Sequence, residues 1–147
     1  MSAQESKTWL GYPEPEDTAS IKRISAEEVA EMIKKEGSSE RNFQLVDVRR
    51  SDLTGNMIKT SINLPAHTLY PSRKDASRML SGYEKVITFC GSSQGRGPRA
   101  AGWLRDAMKD EGYKAEVLVM EGGIKGFVKA YGDDLDLVQK LPEEVKE

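Results

Sequence analysis

Residues 85–113 read KVITFCGSSQGRGPRAAGWLRDAMKDEGY, and their reading decides the fold. Val86, Ile87, Thr88 and Phe89 form a β-branched and aromatic run suited to a strand covered on both faces. At Cys90 the character changes. Residues 90–96, Cys-Gly-Ser-Ser-Gln-Gly-Arg, are small and polar, able to expose backbone N–H groups and to reach positive φ. Pro98 fits the first turn of a helix, where its missing N–H costs nothing. Ala100, Trp103, Leu104, Ala107 and Met108 then recur at helical spacing, and Gly112 supplies a C-cap. The stretch is a buried strand, a polar turn opened by a cysteine, and a helix.

That order carries chemistry. A thiol at the carboxyl end of a strand, facing a helix N-terminus, lies in the positive field of unpaired N–H groups, and such placement makes a cysteine nucleophilic. The loop Gly91, Ser92, Ser93, Gln94 and Gly95 can form a backbone nest for a tetrahedral oxyanion. Arg96 can close over the anion with two parallel hydrogen bonds that a lysine could not reproduce. The competing reading makes Cys90 a small buried hydrophobe. A Cys-x5-Arg spacing alone does not exclude it. The strand before the cysteine, the small-residue loop and the proline-started helix after it favour the nucleophile.

Outward from this centre, 147 residues suit a single domain with a sizeable core. Basic and acidic side chains nearly cancel (22 against 24), so nothing points to nucleic acid or an anionic membrane as partner. The longest apolar run is far short of a membrane span. Residues 1–20 lack the basic and apolar regions of a signal peptide, and one cysteine excludes an internal disulfide, so the expected compartment is reducing: cytoplasm or nucleus. Residues 1–19 read as a flexible arm in which Trp9, Leu10 and Tyr12 could dock on the domain, residues 20–132 as the catalytic domain, and residues 133–147 as an acidic tail with an amphipathic hint at Leu135, Leu137, Val138 and Leu141.

Within the domain, Ser25 followed by Glu28 is a capping box that opens a helix from Ala26 to about Lys35. A loop is expected over 37–41 and again over 50–55, buried strands over 43–48 and 115–120, and a short strand over 61–64. His67, the single histidine, falls in a loop, and a helix is expected over 71–80. Glu121-Gly122-Gly123 is a tight turn before a last helix with Ile124, Phe127, Val128 and Tyr131 on one face. Strands alternating with helices imply α/β architecture, a parallel sheet covered on both faces. Ligands bind beyond the carboxyl ends of such strands, where Asp47, Cys90 and Glu121 gather. Asp47 is an acid of the site or, on the favoured reading, a structural element paired with N–H groups or an arginine; Asp52 is the more exposed acid. The candidate acid or supporting residues are thus Asp47, Asp52 and Glu121, and no metal set is recognised.

Residues 90–99, CGSSQGRGPR, resemble the Cys-x5-Arg-Gly-Pro loop of the cell-cycle dual-specificity phosphatases of rhodanese fold and the small fungal arsenate reductases related to them. Residues 45–49 (LVDVR) with 58–65 (IKTSINLP), and residues 119–124 (VMEGGI), resemble further segments of the same family in the same order. The resemblance implies a rhodanese-like three-layer fold around a sheet of about five strands, with Cys90 and Arg96 catalytic and Asp47 mainly structural. It also divides the activities by loop length. Sulfurtransferases of the family carry six residues counted from the cysteine, and the oxyanion-handling members carry seven, as from Cys90 to Arg96 here.

Two departures bear on the choice. Phe89 stands where the phosphatases and reductases place histidine, and Gly95 where the cell-cycle phosphatases place glutamate. A phosphatase commonly protonates its leaving oxygen through a positioned acid, and the loop supplies none. Arsenate reduction asks only for attack by Cys90, loss of oxide as water, and thiol chemistry thereafter. With no second cysteine the resolving thiol is external, and the resemblance implies glutathione with glutaredoxin, with no bound cofactor. The expected activity is therefore arsenate reduction, with phosphatase action on a phosphoprotein and thiosulfate sulfur transfer as the alternatives.

Overall fold

The central strands carry two alternating sets of apolar side chains, one for each face of the sheet. Val46, Val86, Val117 and Val119 point to one side, and Leu45, Ile87, Phe89, Leu118 and Met120 to the other. The computed structural model describes residues 11–36, 41–50 and 52–142. The elements in chain order are β1 (Arg23–Ile24), α1 (Ala26–Glu36), β2 (Phe43–Asp47), β3 (Asn56–Ile58), β4 (Ser61–Asn63), α2 (Ala66–Leu69), α3 (Arg73–Leu80), β5 (Lys85–Phe89), α4 (Arg96–Glu111), β6 (Glu116–Met120), α5 (Gly123–Tyr131) and β7 (Val138–Lys140).

The main sheet has strand order β1-β6-β5-β2-β4, every pair parallel. Helices α2, α3 and α4 cover the valine face; α1 and α5 cover the other, together with an antiparallel pair of β3 and β7. This is the expected three-layer fold with five strands. The chain steps outward from β2 to β4, then returns to set β5 on the other flank of β2 and β6 beyond it. The order therefore reverses between β2 and β5, and a crevice opens past their carboxyl ends. Asp47 closes β2 and Cys90 follows β5 at that point.

Local signals hold in detail. The Ser25 hydroxyl accepts from the Glu28 N–H at 3.0 Å, the N-cap half of a capping box, and donates to the Glu28 carboxylate at 3.3 Å. Gly112 adopts φ +78° and ends α4. Two readings shift. His67 lies in α2 rather than a loop, and the helix expected from 71 starts at Arg73.

Described residues on both sides of 20–132 contact the domain. Past residue 133 the chain does not leave the body: Leu137 and Val138 are buried in the α5 face, and β7 pairs with β3 through Ile58 and Val138. Of the apolar residues that hinted at amphipathicity, Leu137 and Val138 join the core, Leu141 is half-buried and Leu135 is exposed. At the other end, Tyr12 stacks on Tyr70 at 5.0 Å between ring centroids, and the Trp103 indole donates to the Pro13 carbonyl at 2.9 Å. Pro15 lies over Gly102, where a Cβ would stand 2.5 Å from it. Residues 12–15 are thus laid along α4. Trp9, Leu10 and residues 143–147 lie outside the described residues. No helix among those described is long and apolar enough to cross a membrane.

Leu137 gives a direct check that this segment belongs to the core. Leu137→Ala should lower the unfolding free energy by about 2–5 kcal/mol, the range for a fully buried leucine, read as a shift in the urea midpoint. An unchanged midpoint would return residues 133–142 to the status of a tail.

Candidate active site

Cys90 is buried at the end of β5, and the N-terminus of α4 is aimed at it: the Gly97 N–H donates to Sγ at 3.2 Å. The approach is close: a Cβ on Gly97 would stand 3.4 Å from the Cys90 nitrogen, the Phe89 Cα and the Ser93 hydroxyl. Thr88 ties the same turn to the sheet, its hydroxyl donating to the Gly97 carbonyl at 2.8 Å. Phe89, standing where histidine was expected, is buried in the α5-side core.

Between Cys90 and α4 the loop folds back on itself. Ser93 takes φ +60°, is fully buried, and its hydroxyl accepts from the Cys90 N–H at 3.5 Å. Among the described residues, the consecutive N–H groups from Gly91 to Gly95 are given to no protein acceptor. The carbonyls are used instead. Ile124 and Lys125, in the first turn of α5, donate to the Cys90 and Gly91 carbonyls at 2.9 and 3.0 Å. Gly123 permits this approach with φ +61°, since a Cβ there would lie 2.5 Å from the Gly91 oxygen. The Glu121-Gly122-Gly123 turn thus serves the cysteine loop.

Arg96 closes the loop from one side and is engaged by a carboxylate. Its guanidinium meets Asp52 in a two-pronged pair at 2.9 and 2.6 Å. The Arg96 guanidinium holds the Asp52 carboxyl far below the usual carboxylate range, so at neutral pH Asp52 has no proton to give. Arg96 in turn is raised further by the same bond.

Asp47 faces Arg49 and is not among the residues lining the cavity. It is fully buried and clasped by Arg49 through Nε and Nη2, the shortest contact being 2.7 Å, and it also accepts the Arg49 N–H at 3.1 Å. Arg49 extends the clasp to the Asn56 carbonyl at 2.8 Å, and Asn63 donates to the carbonyls of Asp47 and Arg49. A buried pair with this many partners fixes the segment that presents Asp52. Glu121 is exposed and pairs with Arg23 at 3.3 Å; Arg23 also donates to the Ser93 carbonyl at 3.2 Å, supporting the loop from behind. Gln94 is exposed and is not among the residues lining the cavity. His67 lies near enough to feel Arg50 and Arg96; burial first, then those charges, hold its imidazole below its ordinary value.

The cavity over the thiol measures about 760 Å³ and is lined by the loop residues Cys90, Gly91, Ser92, Gly95 and Arg96, by Arg49, Asp52, Thr54 and Asn56, and by α5. Among the described residues Asp52 is the sole carboxylate of that lining. Neither Asp47 nor Glu121 reaches it. Among the described residues no cluster of three or more His, Cys, Asp or Glu side chains is arranged to hold a metal.

The profile of the rhodanese-like domain matches residues 25–130. The chain belongs to this family. Solved structures agree with that assignment. Saccharomyces cerevisiae Ygr203w, described as a homolog of single-domain rhodanese and the Cdc25 phosphatase catalytic domain, is 27% identical with a TM-score of 0.70, over 83% of this chain and 89% of that one. A second structure of Ygr203w, described as a yeast protein tyrosine phosphatase of the rhodanese family, is 26% identical with a TM-score of 0.65, over 80% and 91%. The As-Sb reductase from Leishmania major is 27% identical with a TM-score of 0.69, over 78% of this chain and 81% of that one. No curated protein sequence matches.

Among the cavity residues of this rhodanese-like domain that escaped the sequence reading are Lys125 and Lys129 on α5. The signal for them was a pair of lysines four residues apart, placed directly after a turn that ends beside the cysteine. The Asp52–Arg96 pair also escaped, because its partners are 44 residues apart.

That pair yields a test. Phosphate and Asp52 compete for one guanidinium, so Asp52→Asn should free Arg96. The phosphate concentration that half-protects Cys90 from iodoacetamide should fall about 2–5-fold, the worth of one exposed ion pair. Weaker protection in the variant would mean that Asp52 helps to hold the anion.

Proposed function

We propose that this rhodanese-like protein is a cysteine-dependent oxyanion enzyme of the arsenate reductase type. The observation that carries the reading is the cradle over Cys90: unspent loop N–H groups, Arg96 and, among the described residues, a single lining carboxylate, Asp52, which in the resting site is bound to Arg96 and not set apart as a proton donor. A phosphate ester with a poor leaving group needs a proton delivered to its departing oxygen. Arsenate does not, because its oxygens exchange protons freely with water. The likeness to the Leishmania As-Sb reductase, at 27% identity, supports the same choice.

The steps follow from the groups present. Cys90 Sγ attacks arsenic and forms an S–As bond, while one oxygen leaves as water after taking protons from solvent. The unspent loop N–H groups and Arg96, released from Asp52, hold the remaining oxygens. A thiolate from solution then attacks Sγ. The S–S bond forms as the S–As bond breaks, and the bonding pair stays on arsenic, which leaves as trivalent arsenite. A second thiol cleaves the mixed disulfide and returns Cys90. Two thiols are oxidised for each arsenate. Both come from outside, since Cys90 is the chain's single cysteine; glutathione, with glutaredoxin for the last step, fits that role, and so does a reducing compartment such as the cytoplasm.

The second reading is a phosphatase, favoured by the likeness to the yeast protein tyrosine phosphatase at 26% identity. One set of assays separates the two. Purified protein with arsenate, glutathione and glutaredoxin should produce arsenite, and Cys90→Ser should abolish it. Activated aryl phosphates should turn over slowly and phosphoserine peptides hardly at all. Efficient hydrolysis of unactivated phosphopeptides, lost about 100-fold or more in Asp52→Asn, would mark Asp52 as a general acid and make the protein a phosphatase.

A further inference from the structure

The cavity extends well past the thiol. A volume of about 760 Å³ falls in the range of sites for drug-sized organic ligands, roughly 300–1,000 Å³, far more than a tetrahedral oxyanion of five heavy atoms fills. Its far wall is α5. Ile124 and Val128, one turn apart, give that wall an apolar strip, and Lys125 and Lys129, also one turn apart, give it a cationic rim.

Lys125 lies close to the residue that follows Cys90. Its Cε lies 3.9 Å from the point where a Cβ on Gly91 would stand, and Arg96 Nη2 lies 3.7 Å from that same point. The two cations therefore flank the residue next to Cys90. Among the described residues neither Lys125 nor Lys129 is paired with a carboxylate. Of the acids near them, Asp52 is bound to Arg96, and Asp134, in the hollow beyond Lys129, is bound to Lys34 at 3.0 Å; Asp133 shares that hollow and forms no ion pair with either lysine.

We infer that the α5 wall seats the small carboxylate-bearing thiol that resolves Cys90. The inference rests on the arsenate reading, in which one thiol from solution attacks Sγ and a second then attacks that thiol's sulfur to release Cys90. In the mixed disulfide the organic part of that thiol must lie in the cavity beside Sγ. Its carboxylates then meet Lys125 and Lys129, and its backbone runs along Ile124 and Val128. The lysines act on the thiol, whereas Arg96 and the loop N–H groups act on the oxyanion.

Thiolate–disulfide exchange tests this without arsenate. Cys90 attacks one sulfur of an added disulfide, the S–S bond breaks, one half departs as thiolate, and the other half remains on Cys90 in the position proposed. The full chain is treated with glutathione disulfide (anionic), cystamine (cationic) or 2-hydroxyethyl disulfide (neutral), and adduct formation is followed by intact mass. The neutral reagent reports that the thiol is still in place and reactive in each variant. In the parent, glutathione disulfide should react faster than cystamine. In Lys125→Gln/Lys129→Gln the ratio of those rates should fall roughly 10-fold, because two exposed cations act on reagents of opposite charge. A ratio unchanged in the double variant overturns the site. If arsenate is not reduced but the ratio falls, the activity is misassigned and the α5 site stands; if arsenate is reduced and the ratio does not move, the site fails and the activity stands.

Discussion

The site depends on two hydrogen bonds from the first turn of α5. The Ile124 and Lys125 N–H groups take the Cys90 and Gly91 carbonyls, and Gly123 lets the helix approach because no Cβ stands in the way. A trans peptide sets its N–H opposite its carbonyl. Anchoring those two oxygens therefore turns the N–H groups of Gly91 and Ser92 away from α5 and leaves them unspent. One helix uses its orphan donors to orient the loop, and the other, α4, aims the Gly97 N–H at the sulfur. The loop's anion-binding character is thus a consequence of where its carbonyls are tied.

Charge in the site is arranged in two tiers. The buried tier, Asp47 with Arg49, is satisfied on all sides and carries the segment from Arg50 to Asn56. Breaking such a pair strands a buried charge, so it serves geometry rather than turnover. The outer tier, Asp52 with Arg96, is half in solvent and exchangeable. An incoming oxyanion can replace the Asp52 carboxylate on the guanidinium, so the cation is not left unpaired before substrate arrives.

The centre of the fold was legible because its signals are local. The β-branched run before Cys90, the proline and apolar spacing after it, and the Ser25–Glu28 box each specify structure within a few residues. What was not legible is non-local. β1 is two residues long and exists through its pairing with β6. Val138 looked like part of a polar tail until Ile58, eighty positions earlier, supplied a partner. Asp52 read as an exposed acid because its arginine is on another element. Lys125 and Lys129 were indistinguishable from a solvated helix face until the Gly122-Gly123 turn brought α5 against the cysteine loop.

The central claim is that the loop between Cys90 and Arg96 binds a tetrahedral oxyanion for attack by the sulfur. The most direct measurement is a crystal structure of Cys90→Ser with arsenate, the substitution preventing reaction. The account predicts one arsenate above residue 90, held by the N–H groups of the loop and by Arg96 in two-pronged contact, with Asp52 displaced from the guanidinium. An Asp52–Arg96 pair still closed, with arsenate absent from the loop or bound elsewhere, would contradict it.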